Sequence, residues 1–259
     1  MNKRGYIAIA VIVLVAAAAV AYFGFIRPSA GEKSAASAKG KIIVALDAGH
    51  GGKDPGATSG DFNEKAVNLA VMKKVEALFA TDPQIRAVTT RSVDVYVPLE
   101  ERIRVAEAGG ATVYVSMHVN SFAQSDVYGV ETWVDTTRKD SDPSWTLAAM
   151  LEDAVTGATG ARNRGIRTQE SYLQRTTMPA VTVEMGYITN PAERALLFDS
   201  LYQDKLAAGI ASGIRQFLAW RAANTPTSTT PATTTKTTTP ATSTTKTTTP
   251  TTSTAKPKP

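Results

Sequence analysis

Only two histidines occur in the 259 residues, His50 in "LDAGHGG" and His118 in "VSMHVNS", and there is no cysteine. Thiolate catalysis, cysteine ligands and disulfide staples are therefore excluded. A metal centre in this chain must be built from imidazole and carboxylate. Two histidines and one carboxylate with an open fourth position are the donor set of a catalytic zinc, Zn2+. Asp47, Asp54, Asp61 and Glu64 all lie near His50 in sequence. Glu64 opens the helical pattern of "NEKAVNLAV", and a side chain at a helix start is better fixed than one in a loop. The helix dipole alone also favours a glutamate there. Glu184 lies in the apolar run "AVTVEM", where desolvation raises a carboxyl pKa. That suits a general base beside a metal-bound water, the alternative being a salt-bridged structural glutamate. Either histidine taken singly reads as a satisfied structural residue; the pair reads as a metal site. Glu131 in "GVETW" sits in mid-strand and reads as structural or supporting.

These residues need a frame that brings them together. Short β-branched runs at 41–46, 85–90, 112–118, 129–134 and 180–185 predict strands. Helical patterns lie between them at 64–79, 98–108, 145–155, 191–198 and 203–220. Asn190 and Pro191 have the types that cap and open a helix. The alternation predicts an α/β sandwich with a mostly parallel sheet covered on both faces. In such sheets ligands sit beyond the carboxyl ends of the strands, which is where both histidines fall. "GGKDPGA" lacks the GK[ST] ending of a phosphate loop. Arg162, Arg164, Arg167 and Arg175 crowd one short segment, which reads either as a solvated cluster or as a contact for an acidic substrate. Arg91 and Arg102 suit the anchoring of loops through carboxylates.

The ends of the chain differ from its middle. Residues 5–26 carry no charge, follow Lys3 and Arg4, and finish with Tyr22, Phe23 and Phe25. The run is long enough to span a bilayer, and the flanking charges predict an uncleaved signal anchor over 1–27 with the rest outside. Cleavage near "AAAAVA", giving a secreted protein, is the alternative. Residues 28–40 read as a linker. Residues 222–259 repeat the unit "TTKTTTPATS" with little variation and predict a disordered tail, either a spacer or contact arm or simply solvated chain. Between Lys41 and Trp220 there are 18 Lys+Arg against 22 Asp+Glu, a net of −4, although the whole chain is +5. Nucleic acid is not an expected partner of this middle domain.

The ordered set "IIVALDAGHGGKDPGA", "NEKAVNLAV", "TRSVDVYVPLEERIRVAEA", "VSMHVNS" and "AVTVEMGYITNPAE" resembles the zinc-dependent N-acetylmuramoyl-L-alanine amidases of bacterial cell walls, the amidase-3 family, across residues 41–221. The resemblance implies one three-layer domain with a twisted, mostly parallel six-stranded sheet. It implies zinc held by His50, Glu64 and His118, and catalysis by Glu184. The bond cut would join N-acetylmuramic acid to L-alanine of the stem peptide, with zinc-activated water and Glu184 as base. Peptidoglycan would be the partner, and a monomer in the cell envelope outside the cytoplasmic membrane is expected. The alternatives are another zinc-dependent wall peptidase, or a silent peptidoglycan-binding protein. Where relatives often carry Ala-Asn after the arginine helix, this chain has "VAEAGG" with Glu107, which bears on local packing. The short interval between Val134 and Ala180 implies an open site without an inhibitory helix. Asp47 is expected to orient an imidazole from behind.

Overall fold

Strands whose side chains are apolar on both faces can be buried only between two layers of helix. β1 (Ile42–Ala48), β5 (Val113–Asn120) and β8 (Ala180–Tyr187) are of this kind and occupy the middle of the sheet. The computed structural model describes residues 40–225. The other elements are β2 (Thr58–Ser59), β3 (Phe62–Asn63), α1 (Glu64–Ala80), β4 (Ile85–Thr89), α2 (Leu99–Ala108), β6 (Val130–Asp135), α3 (Pro143–Thr159), β7 (Asn163–Gln169), α4 (Pro191–Leu197) and α5 (Ser200–Asn224). A one-turn 3-10 helix covers Tyr172–Arg175. The expected anchor and linker lie outside the described residues, apart from Gly40. So does the expected tail, except that α5 runs through Asn224. Among the described residues no helix is long and apolar enough to cross a membrane.

The six-stranded sheet has the order β4-β1-β5-β8-β6-β7. β4, β1, β5 and β8 run parallel; β6 is antiparallel to β8, and β7 follows β6. The sheet is therefore mostly parallel, as expected, with a reversed pair at one edge. The reversal has a simple cause. Residues 121–129 join β5 to β6 with no helix between them, and a parallel crossover needs a dozen or more residues.

One face of the sheet meets α1, α3 and α5 through Val44, Leu46, Val115, Met117, Val181 and Val183. α3 and α5 approach very closely: a Cβ on Gly209 would lie 2.7 Å from the Val155 Cα, and one on Gly213 2.8 Å from the Leu151 Cα. The opposite face is covered by α2 and the 3-10 turn over Ala45, Tyr114 and Ala180. The helix start expected at Asn190–Pro191 is present, with the Asn190 side chain accepting from the Ala192 and Glu193 amides. Residue patterns located neither the short β2–β3 hairpin nor, within the six-stranded sheet, β7. As an outer strand it is exposed or half-buried throughout, so "NRGIRTQ" carries no apolar alternation to betray it.

Candidate metal centre

β1 delivers its chain into the loop that holds His50. The residue has φ 61°, a left-handed conformation uncommon outside glycine, and the surrounding bonds enforce it. Arg102 Nη2 donates to the His50 carbonyl at 2.7 Å, and Arg102 Nη1 to the Ala48 carbonyl at 2.8 Å. Arg91 Nε donates to the same Ala48 carbonyl at 2.8 Å, and its Nη2 to that of Gly49 at 3.0 Å. The imidazole is then aimed by Asp54, whose Oδ2 lies 2.8 Å from His50 Nδ1. This turns Nε2 inward, 3.3 Å from Glu64 Oε1.

Glu64 is the first residue of α1 and is buried. Its Oε2 accepts from the Ala57 amide at 2.8 Å, and its Oε1 from Asn68 Nδ2 and the Val119 amide, both at 3.1 Å. His118, near the end of β5, brings Nδ1 to 2.8 Å from the same Oε1. A Cβ on Gly49 would lie 2.3 Å from the His118 ring, so only glycine lets that ring sit where it does. The ligand atoms of His50, Glu64 and His118 all lie within 4.8 Å of one another.

The donor set suits a zinc ion. Tetrahedral zinc with bonds near 2 Å separates its ligand atoms by roughly 3.3 Å, the spacing between His50 Nε2 and Glu64 Oε1. Burial disfavours the ionised Glu64, but its hydrogen bonds to His118 and His50, and their charges, hold its carboxyl well below the usual range. Burial likewise opposes a charged His118, yet the Glu64 hydrogen bond and charge, with help from Glu184 and Asp47, push it up to about 9. His50 is raised by the same Glu64 contact against its own desolvation. The cluster favours a charged His118 beside an ionised Glu64, a pairing whose shared proton a divalent ion would replace.

Glu184 stands opposite His118 in the β5–β8 register. Its Oε2 is buried and has no hydrogen-bond partner. Burial pushes its carboxyl up to about 7, His118 works against this, and Glu64 and Glu131 add to it. Asp61 is exposed and lies outside the cluster. The expectation for Asp47 needs correction, because Asp54 backs His50. Asp47 is still inside β1, and its side chain faces α2. There it accepts from Thr90 Oγ1 at 2.5 Å, Arg102 Nη1 at 2.6 Å, Ser116 Oγ at 2.7 Å and the Tyr172 hydroxyl at 2.8 Å. Burial disfavours its charge, but the Arg102 guanidinium and these hydrogen bonds overcome that and lower it to about 2. Arg102 thus pairs with a carboxylate, as expected, whereas Arg91 holds its loops through carbonyls.

Glu131 is closer to the site than its sequence suggested. β6 is antiparallel to β8, which sets Glu131 directly across from Glu184. Its Oε1 accepts from Asn120 Nδ2 and the Tyr187 hydroxyl, both at 2.8 Å. Its Oε2 meets Arg164 Nε at 3.0 Å. The nine-residue interval after β5 was the signal for this reversed strand. The 45 residues between Val134 and Ala180 are used for α3, β7 and the 3-10 turn, and the His50 and His118 side chains keep 26% and 19% of their surface exposed.

An α/β sandwich with a His/Glu/His cluster at its strand ends, beside a half-buried glutamate with one enclosed, unpartnered oxygen, has the make-up of a metal-dependent hydrolase. The chain belongs to the N-acetylmuramoyl-L-alanine amidase family, whose pattern matches residues 44–216. It is 32% identical over 190 residues to the N-acetylmuramoyl-L-alanine amidase LytC of Bacillus subtilis (strain 168), covering 72% of this chain and 38% of LytC. It therefore spans well under half the length of that relative. Among solved structures it is similar to the catalytic domain of CwlV, an N-acetylmuramoyl-L-alanine amidase from Bacillus (Paenibacillus) polymyxa var. colistinus. That pair shares 40% identity with a TM-score of 0.64, over 69% of this chain and 98% of CwlV. An N-acetylmuramoyl-L-alanine amidase from Clostridium difficile 630 shares 32% identity with a TM-score of 0.67, over 70% of this chain and 98% of that one.

Proposed function

We propose that the protein is a peptidoglycan hydrolase. It cleaves the amide between N-acetylmuramic acid and L-alanine of the stem peptide, in the bacterial cell envelope outside the cytoplasmic membrane. The observation that carries this reading is the convergence of His50, Glu64 and His118 beside the unpartnered Glu184 Oε2, in a chain of this family. His50 Nε2, Glu64 Oε1 and His118 Nδ1 would hold zinc. When bound, that ion polarises the scissile carbonyl and lowers the pKa of water.

The chain's own groups do the rest. Asp54 fixes the His50 tautomer and ring plane from behind. Arg102 and Arg91 hold the loop that presents it. Glu184, with a proton affinity near neutrality, takes the proton of the attacking water and returns it to the departing nitrogen of alanine. Such a proton transfer is worth roughly 10²–10⁴ in rate. The uncharged run at residues 5–26 supports an anchor in the cytoplasmic membrane, and the protein acts as a monomer.

Purified peptidoglycan digested by the zinc-loaded full chain, with products identified by mass, tests the reading. Intact peptides with a free N-terminal alanine are expected, and a chelator should stop their release. Fragments cut within the peptide would replace the amidase with a wall peptidase. Unchanged peptidoglycan would leave only a binding protein.

A further inference from the structure

The four arginines on and around β7 are not absorbed by the reaction above. Arg162 stacks over Tyr128 at 5.4 Å, and Arg175 pairs with Glu100, so two of the four belong elsewhere. Arg164 and Arg167 remain, and three positions apart on a regular strand they would not face the same way. They do here because the register shifts between Val130 and Thr132, which pair with Asn163 and Ile166. Gly165, at φ 81°, supplies the left-handed residue. Bulges of this kind re-aim side chains and are common beside active sites. Both guanidinium groups now reach one atom, Glu131 Oε2, Arg164 Nε at 3.0 Å and Arg167 Nε at 3.7 Å.

The two arginines are held differently. Arg164 also lies over the Tyr187 ring at 5.1 Å, and 21% of its side chain is exposed. The Arg167 side chain is 48% exposed, and its long contact to Glu131 is its one ion pair among the described residues. Arg164 faces Glu131 and also Glu193, which leaves Arg167 as the loosely paired cation at an accessible edge. Next to them stands Trp133, half-buried, with its indole nitrogen enclosed and without a hydrogen-bond partner. Trp133 faces Arg167 on one side and Thr182 on the other. The residues of this strip share the sheet face of Glu184, which pairs across from Glu131.

We infer that Arg167, with Arg164 behind it, is a subsite for a carboxylate of the leaving peptide. The inference rests on the amidase reading for the identity of the peptide. The distance sets which residue is read. Two strand spacings and two residues along the strand place Arg167 about 12 Å from Glu184, Cα to Cα. An extended peptide covers about 3.3–3.6 Å per residue. The carboxylate therefore belongs to the second or third residue after the cut. A planar guanidinium that is only loosely held can turn to form a two-pronged contact with it, and the Trp133 ring gives the peptide an apolar floor.

The test uses the zinc-loaded full chain and synthetic C-terminally amidated tripeptides, titrated by calorimetry. The probes are Ala-Glu-Ala-amide and Ala-Ala-Glu-amide, with either configuration at the acidic residue, and their glutamine counterparts. At least one acidic peptide should bind about tenfold tighter than its glutamine counterpart, as expected for a charge-assisted contact at a part-exposed site. The ratio should fall towards one in Arg167→Ala and recover in part in Arg167→Lys. Equal affinities in the unaltered protein, no binding of any peptide, or a ratio that survives Arg167→Ala would each overturn the subsite. Intact peptidoglycan after digestion would overturn the amidase reading instead and leave this ratio as it stands.

Discussion

At the scale of single residues, the centre separates the proposed metal ligands from the groups that position them. His118→Ala would remove the ligand proposed on β5, so zinc content near one per chain should fall to background in elemental analysis, with far-UV circular dichroism retained. Glu184→Gln keeps shape and removes the proton acceptor. Zinc should stay bound while turnover falls by at least about 100-fold; turnover close to the unaltered rate would remove Glu184 from the reaction. Asp47 tests the frame. Its carboxyl is lowered from 3.8 to about 2 in the fold, so the stability it gives is complete above pH 4 and is lost as the pH falls towards 2. That contribution is roughly 2 kcal/mol. Asp47→Asn leaves Arg102 charged and buried, a change that costs about 3–5 kcal/mol. Urea unfolding of this variant at neutral pH should show a loss of that order and a weaker dependence on acid between pH 4 and 2 than the unaltered protein, what remains coming from Glu64 and the other lowered carboxyls. The four metal-site and catalytic candidates were legible because the chain offers so few alternatives. The partner of His50 was not, since Asp47 and Asp54 are both near it in sequence and only the direction of the β1 side chains tells them apart.

At the scale of elements, the sequence showed the buried strands and hid the edge. β1, β5 and β8 announce themselves by apolar runs because both faces are covered. β7 is covered by little, and its residues answer to the bulge at Gly165 and to Glu131 rather than to a core. Glu131 reads as a structural or supporting residue from composition, and its place across from Glu184 is hidden because strand direction is a property of connections. Helix boundaries shifted for a similar reason. α5 runs from Ser200 to Asn224, beyond the 203–220 of its pattern, because its last turn is exposed and carries no apolar periodicity to mark it. The packing of α5 against α3 makes a prediction. Gly213→Val would place a branched side chain where even a Cβ lies 2.8 Å from the Leu151 backbone. Overpacking of this kind costs about 1–3 kcal/mol, and the helices must part to relieve it. Urea denaturation should show a loss in that range with an unchanged slope. Gly157→Val, on α3 with open space at its Cβ, should cost less than half as much.

At the scale of the molecule, the site and the domain's chain ends occupy opposite poles. Gly40 and Ala222 line one cavity of about 340 Å³, together with Ile42, Gln84 and Leu218, where β1 and β4 begin. The metal cluster lies beyond the other end of β1, seven residues away, or about 23 Å along the strand. A domain held at the first pole presents its cleft away from the point of attachment. Net charge adds to this picture. A domain at −4 between Lys41 and Trp220 does not attract an acidic substrate as a whole, so positive charge must be local, and β7 supplies it beside the cleft. The described core runs from β1 to α5 and closes on itself through α5, α1 and α3. Residues 40–225 alone should therefore fold, with a melting temperature within about 2 °C of the full chain. Their rate on soluble muramyl peptides should match it. If the proposed anchor over residues 1–27 holds the domain at this pole, the two forms should differ only on intact cells, where attachment would govern access. A fall in melting temperature beyond about 5 °C, roughly 1–2 kcal/mol for a domain of this size, would show that the terminal segments belong to the folded unit. An equal rate on intact cells would count against an anchor that aids access to the wall.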